Sequence, residues 1–191
     1  MTLLEKPLRR DAERNRERIV AAAAQAFADD GADVPVEEIA RLASVGVGTV
    51  YRRFPTKEDL VDAVLERALE QFVSAAEQAL QDPDAWAGFR SFLLSAAELH
   101  VRNRGIKDVA GEAQGRALTE AKRARLRPLV RKLVARAKEQ GALRSDFQAE
   151  DMAVVFRLVE ALSPSSPQAR RRQLGFLLDG LRAGAPAGGA R

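Results

Sequence analysis

Apolar residues recur at helical spacing along most of the chain, and nowhere do they alternate over a run that would make a half-buried strand. Ile19, Ala23, Ala26 and Phe27 fall on one helical face, as do Leu174, Leu177, Leu178 and Leu181 near the other end. No Asn-Gly hairpin turn interrupts them. The expected fold is therefore all-α. The low aromatic content, 5%, agrees with helix seams filled by alanine and leucine. At 191 residues the chain makes one domain or two small ones.

Several function classes drop out early. Without cysteine there is no disulfide framework, thiolate metal site or cysteine nucleophile. A single histidine leaves little for a zinc site. No phosphate-binding glycine loop, H-E-x-x-H or G-x-S-x-G string is present, and acidic pairs such as Glu37/Glu38 and Asp82/Asp84 sit where helices start. We expect no enzyme activity, cofactor or bound metal. With no long apolar run and no leader-like N-terminus, the expected location is the cytoplasm, away from membranes.

Gly, Pro and cap residues divide the chain. Residues 1–11 read as a flexible arm, Ala12–Asp29 as a first helix stopped by Gly31, and Val36–Ala43 as a short second helix. Ser44-Val45-Gly46 breaks the pattern, and a third helix runs from Val47 to Phe54 before Pro55. Thr56, with Asp59 three residues on, caps a long fourth helix reaching Leu80. A fifth follows from Asp84 to Val101, then a looser stretch around Gly105, Gly111 and Gly115. Thr119–Gln140 is a basic helix ended by Gly141; Gln148–Leu162 and a last helix behind Ser166-Pro167 complete the body. The count is about nine helices. Residues 12–56 form a three-helix head, 57–183 a larger helical body entered by the connecting helix 57–80, and 184–191 a disordered tail.

Two short helices joined by a tight turn behind a longer one have the outline of a DNA-reading helix-turn-helix. Close helix packing needs a small residue, supplied by Ala40; the turn tolerates Ser44, though glycine would suit it better; Val50 can bury against the first helix. That leaves Val47, Gly48, Thr49, Arg52 and Arg53 on or beside the exposed side. A glycine within a short exposed helix lowers its stability by roughly 1 kcal/mol, and close approach to another molecule would explain it.

The string Ile39-Ala-Arg-Leu-Ala-Ser-Val-Gly-Val-Gly-Thr-Val-Tyr-Arg-Arg-Phe-Pro-Thr-Lys-Glu-Asp-Leu60 resembles the TetR family of transcriptional regulators, whose pattern is close to I-A-x-x-A-G-V-S-x-G-T-L-Y-x-H-F-x-[ST]-K-E-x-L. The resemblance covers residues 12–70. It implies that Val47, Gly48 and Thr49 lie near base edges and adjacent phosphates. Tyr51 would donate its hydroxyl to a phosphate, Arg52 and Arg53 would reach phosphates or a guanine edge, and Lys57 would meet a phosphate at the start of the fourth helix. Three departures stand out: Gly46 replaces a serine cap, Arg53 a histidine, and Pro35 a position where a hydroxyl often touches phosphate.

Charge supports this only through its placement. The chain carries a net +4, yet the first sixty residues hold ten Lys/Arg against eleven Asp/Glu. What counts is segregation: Arg9, Arg10, Arg14, Arg16 and Arg18 at the arm and first helix, and Arg52, Arg53 and Lys57 at the reader, apart from Asp29, Asp30, Asp33, Glu37 and Glu38. In the body, the run Lys122, Arg123, Arg125, Arg127, Arg131, Lys132, Arg136, Lys138 reads as a solvated helix face rather than an anion site.

The resemblance also implies a small-molecule effector, apolar or aromatic, held between body helices. Phe89, Phe92, Leu93, Ala96, His100 and Phe156 are the candidates, and their helical spacing serves a core as readily as a pocket wall. It further implies a homodimer formed by the last two helices, through Val155, Val159, Leu174, Leu177, Leu178 and Leu181. Val154, Leu158 and Ala161 give the first of these helices a second apolar flank. The expected function is a ligand-released repressor binding a pseudo-palindromic operator as a dimer. The alternative is a ligand-binding or protein-interaction module that no longer reads DNA, favoured by Gly46 and Pro35.

Overall fold

The computed structural model describes residues 5–103, 112–161 and 166–184. Among these are eight α-helices and no strand: α1 (Glu5–Asp30), α2 (Val36–Leu42), α3 (Val47–Arg53), α4 (Lys57–Leu80), α5 (Ala85–Arg102), α6 (Glu112–Glu139), α7 (Met152–Ala161) and α8 (Pro167–Leu181). Residues 104–111, where the loosest stretch was expected, lie outside the described residues, as do 1–4 and the tail from 185.

Two helices begin earlier than their sequence suggests. α1 starts at Glu5, so residues 5–11 continue the helix instead of forming an arm. Pro7 falls in its first turn, where no backbone N–H is needed for an intrahelical bond. α6 starts at Glu112 and runs through Gly115; one glycine lowers helix stability without ending it. In front of α7, Gln148 N donates to Asp151 at 2.7 Å and the chain makes a 3-10 turn, Ala149–Asp151, before the helix proper.

The chain divides into two compact units, the first made of residues up to Leu69 together with Arg102–Thr119, the second of Glu70–Val101 and the residues from Glu120 on. The core of the first joins Ile19, Ala23, Ala26 and Phe27 of α1 to Ile39 and Ala40 of α2, Val50 of α3, and Leu60, Val61 and Val64 of α4. The opening half of α4 is therefore part of the head's core, whereas the sequence placed the division at residue 56. Ala40 is buried, as the close packing of the short helices requires.

The second unit has its own core. It draws Phe72 and Ala76 from α4, Trp86, Phe89, Phe92 and Leu93 from α5, Val130, Leu133 and Ala137 from α6, and Val155, Val159, Leu174 and Leu178 from α7 and α8. Gly88 sets the approach of α5 to α4: a Cβ there would lie 2.3 Å from the Ala79 carbonyl oxygen. Arg136 donates to the carbonyls of Leu80 and Asp82, closing the C-terminal end of α4. Asp84 accepts from the backbone of Trp86 (2.9 Å) and Ala87 (3.0 Å) and starts α5. At α6's end Gly141 takes the left-handed conformation, φ +67°, that its stop role predicted. Ser166 caps α8 by accepting from Ala169 N at 3.3 Å.

Candidate nucleic-acid interface

The turn between α2 and α3 is a Schellman closure. Ser44 N donates to Arg41 O (3.0 Å) and Val45 N reaches back to Ala40 O (3.0 Å). That geometry puts Ser44 in the left-handed region, φ +52°, where glycine is usual. Arg18 of α1 holds the turn from outside, its guanidinium donating to Ala43 O (2.6 Å) and Ser44 O (3.1 Å). A cation at the carbonyl end of α2 also complements its dipole. Arg18 was counted with the DNA-facing cations from sequence. Its partners make it a brace for the turn, and no local pattern reveals this, because the partners lie 25 and 26 residues away.

α3 is short, and its orientation is fixed by two valines. Val50 is buried and Val47 packs against the same core. At about 100° per residue, the side opposite these anchors carries Gly48, Thr49 and Arg52, while Tyr51 and Arg53 stand on the two flanks. Gly48, Tyr51, Arg52 and Arg53 are exposed, and Thr49 is half-buried. A Cβ at Gly48 would meet nothing within 4 Å. Arg52 Nη2 donates to Thr49 Oγ1 at 3.1 Å, one turn back on the same face. Gly46 caps α3 and Pro35 caps α2, neither with a side-chain hydrogen bond.

Behind α3 the chain re-enters helix through the reciprocal cap expected of Thr56 and Asp59. Asp59 N donates to Thr56 Oγ1 (3.1 Å), and Thr56 N to Asp59 Oδ2 (3.0 Å). The Thr56 hydroxyl and amide hold the Asp59 carboxyl below its ordinary pKa. Lys57 is half-buried, with Nζ donating to Val34 O at 2.9 Å, so it also ties the start of α4 to the segment before α2. Arg16 lies over the Phe54 ring, 5.8 Å from its centroid, with Glu66 4.0 Å away. Arg14 pairs with Asp11, and Arg41 with Glu38 at 2.8 Å. Among the predicted DNA contacts the structure thus gathers Gly48, Thr49, Tyr51, Arg52 and Arg53 around one exposed helix, with Val47 part of its anchor. It gives Arg16 and Lys57 partners of their own.

The residues proposed to meet an effector lie together in the second unit. Phe89, Phe92, Leu93 and Ala96 are buried. Phe92 meets Phe156 edge-on at 6.3 Å, His100 stands 5.5 Å from Phe156 and 5.3 Å from Phe72, and Phe89 stacks edge-on against Phe147. Phe72 and Phe147 were not singled out from sequence; helical spacing flags Phe72 as core and says nothing of its neighbours.

The residues proposed for the dimer lie mostly inside their own unit. Val155, Val159, Leu174, Leu178 and Leu181 are buried in the chain's own core, and Leu177 is half-buried. Among the described residues of α7 and α8, the large apolar side chains left exposed are Val154 (46%), Leu158 (46%) and Phe176 (67%). α7 carries two apolar stripes one residue apart, and its own unit takes the one the sequence reading gave to a partner. In the basic run of α6, Arg125, Arg127, Arg131 and Arg136 have partners within the chain. Arg125 donates to Glu70 (2.6 Å), and Arg131 (3.0 Å) and Arg127 (3.2 Å) to Glu150, whose carboxyl they hold down to about 2. Among the described residues no group of three or more His, Cys, Asp or Glu is placed to hold a metal ion, and no helix is long and apolar enough to cross a membrane.

Comparison with known proteins agrees with this geometry. Residues 19–64 match the family model of bacterial regulatory proteins of the tetR family, and residues 82–183 match that of the SbtR-like transcriptional regulator C-terminal domain. A TetR regulatory protein from Mycobacterium vanbaalenii superposes with a TM-score of 0.75 at 30% identity, covering 92% of this chain and 99% of that one. A TetR regulator from Streptomyces coelicolor gives 0.73 at 28%, over 89% and 99%. An HTH-type transcriptional regulator of Staphylococcus aureus is 36% identical over 76 residues, which is 39% of this chain and 41% of that protein's length.

Proposed function

Because the chain belongs to the TetR family of DNA-binding transcriptional regulators, and so is a transcription factor rather than an enzyme, we propose that it is a ligand-released repressor acting as a homodimer on a pseudo-palindromic operator. The observation that carries this reading is the outward side of α3. Gly48, Thr49 and Arg52 are presented by a helix with inward-facing valines, and a tyrosine and an arginine flank them. A major groove admits one helix, and side chains on its outer side meet base edges while those on its shoulders meet phosphates.

The dimer forms through the exposed flank of α7 and α8, with Val154, Leu158 and Phe176 meeting their counterparts. Val154 and Leu158, one turn apart on α7, form an exposed apolar stripe of the kind that an association surface would cover. Two α3 helices then face successive major grooves, roughly 34–36 Å apart. The effector is apolar or aromatic and binds among the body helices near Phe92, His100 and Phe156. It releases the operator by favouring a form of the dimer with lower DNA affinity, and it acts only through that difference.

A mobility-shift titration with the DNA upstream of its own gene tests the reading. A sequence-selective shift at low salt, reversed by an apolar or aromatic compound that binds the free protein, is the expected result. Absence of any selective shift favours a module that no longer reads DNA, as caps without a side-chain hydrogen bond at Gly46 and Pro35 would suit.

A further inference from the structure

α3 carries two neighbouring arginines, and a guanidinium can either grip a phosphate or read guanine through O6 and N7. Their settings differ. Arg52 stands on the side of α3 directly away from the Val47/Val50 anchor, beside Gly48, whose missing side chain leaves that side low. Its Nη2 is bonded to Thr49 Oγ1 at 3.1 Å. Arg53 stands about a quarter-turn round, on a shoulder of the helix.

We infer that Arg52 is the base-reading residue of this protein, that Thr49 is its positioning residue, and that Arg53 contacts the DNA backbone. This rests on the DNA-binding reading above and assigns roles within it. An arginine on a long flexible stem discriminates bases only if its planar fork is held at a defined angle. The Thr49 hydroxyl, accepting from one guanidinium nitrogen, supplies that constraint from within the same helix and uses only one of the five N–H groups of the fork. Gly48 lets the helix come near enough for the fork to reach the base edge. The class of partner follows: a duplex whose half-site presents a guanine in the major groove opposite the middle of α3.

The test is selection from a duplex library with a randomised core, sequenced after binding by the full-length protein, with Thr49→Val, Thr49→Ser, Arg52→Ala, Arg53→Ala and the double variant Thr49→Val/Arg52→Ala alongside. Thermal melting of each variant checks the fold, since all three positions lie outside the head's core. The expected wild-type profile is a two-fold symmetric site with one guanine per half-site whose replacement lowers binding about 10- to 100-fold. Arg52→Ala flattens that one position and spares the rest. Thr49→Val weakens the same position several-fold, Thr49→Ser retains it, and the double variant is no worse there than Arg52→Ala. Arg53→Ala lowers binding to all sequences alike and reduces its salt dependence.

The assignment is overturned if Thr49→Val changes overall affinity without changing the base profile. It is equally overturned if Thr49→Val and Arg52→Ala act at different positions, or if Arg53→Ala is the variant that erases the guanine. A wild-type protein that enriches no sequence removes the DNA-reading premise itself, and is distinct from any of these.

Discussion

Two small residues of the head, Ser44 and Gly48, carry separate predictions. Ser44 occupies a left-handed position that glycine would take without strain. Relieving roughly 1–2 kcal/mol of left-handed strain outweighs the ~0.4–1 kcal/mol that a freer unfolded glycine gives back, so Ser44→Gly should raise stability by roughly 0.5–1 kcal/mol in denaturant titrations. An unchanged or lowered midpoint would mean the serine hydroxyl has a compensating role. Gly48 behaves in the opposite sense. Nothing surrounds its missing Cβ, so Gly48→Ala should stabilise the free protein by close to ~1 kcal/mol. The added methyl stands on the side proposed to face DNA, and operator binding should fall roughly tenfold, the size of one good base contact. A variant that is more stable and binds as well would place the DNA elsewhere.

Where a helix end carries a side-chain cap or a stop glycine, sequence and structure agree; the starts of α1 and α6, which carry neither, lie earlier than expected. The Thr56/Asp59 box, the Ser166 cap and the Gly141 stop were all legible, because a cap is a local pattern of a few residues. Helix faces were less so. Periodicity marks Val155/Val159 and Val154/Leu158 equally as stripes on α7, and only the packing of the second unit decides which stripe is internal. The partners of Arg18 and Arg136 were illegible for a similar reason, being backbone carbonyls distant in sequence. Packing also makes Gly88 irreplaceable: Gly88→Ala drives a methyl into the Ala79 carbonyl. It should lower stability by roughly 1–3 kcal/mol, the usual range for overpacking. Glu150 provides a pH test of the link between α6 and the turn before α7. Its folded pKa of about 2 lies below the ordinary 4.5. Its stabilising effect is therefore complete above 4.5 and declines as pH falls toward 2. Melting temperature should drop across that window less steeply in Glu150→Gln than in the wild type; parallel curves would show that the pairing with Arg131 and Arg127 adds nothing in solution.

For the molecule as a whole, the balance of charge says less than its arrangement. The head is near neutral in count, and many of its cations are committed internally: Arg18 to the turn, Arg16 to Phe54 and Glu66, Arg14 to Asp11. On the proposed reading this leaves recognition to α3, and a second copy of the chain would add a second α3 to the contact. Leu158→Glu and Phe176→Glu alter side chains that already face solvent in one chain, so both should produce folded monomers in sedimentation and lose operator binding. A persisting dimer would put the interface outside this flank. Sequence-selective binding by α3 is tested most directly by the ratio of affinities for the selected operator and a scrambled duplex, measured by anisotropy across a salt series. The expected ratio is at least about 10³ at physiological salt, with the log–log salt slope shallower by roughly one for each phosphate contact that Arg53→Ala removes. A ratio near one, with a slope that Arg53→Ala leaves unchanged, would contradict it.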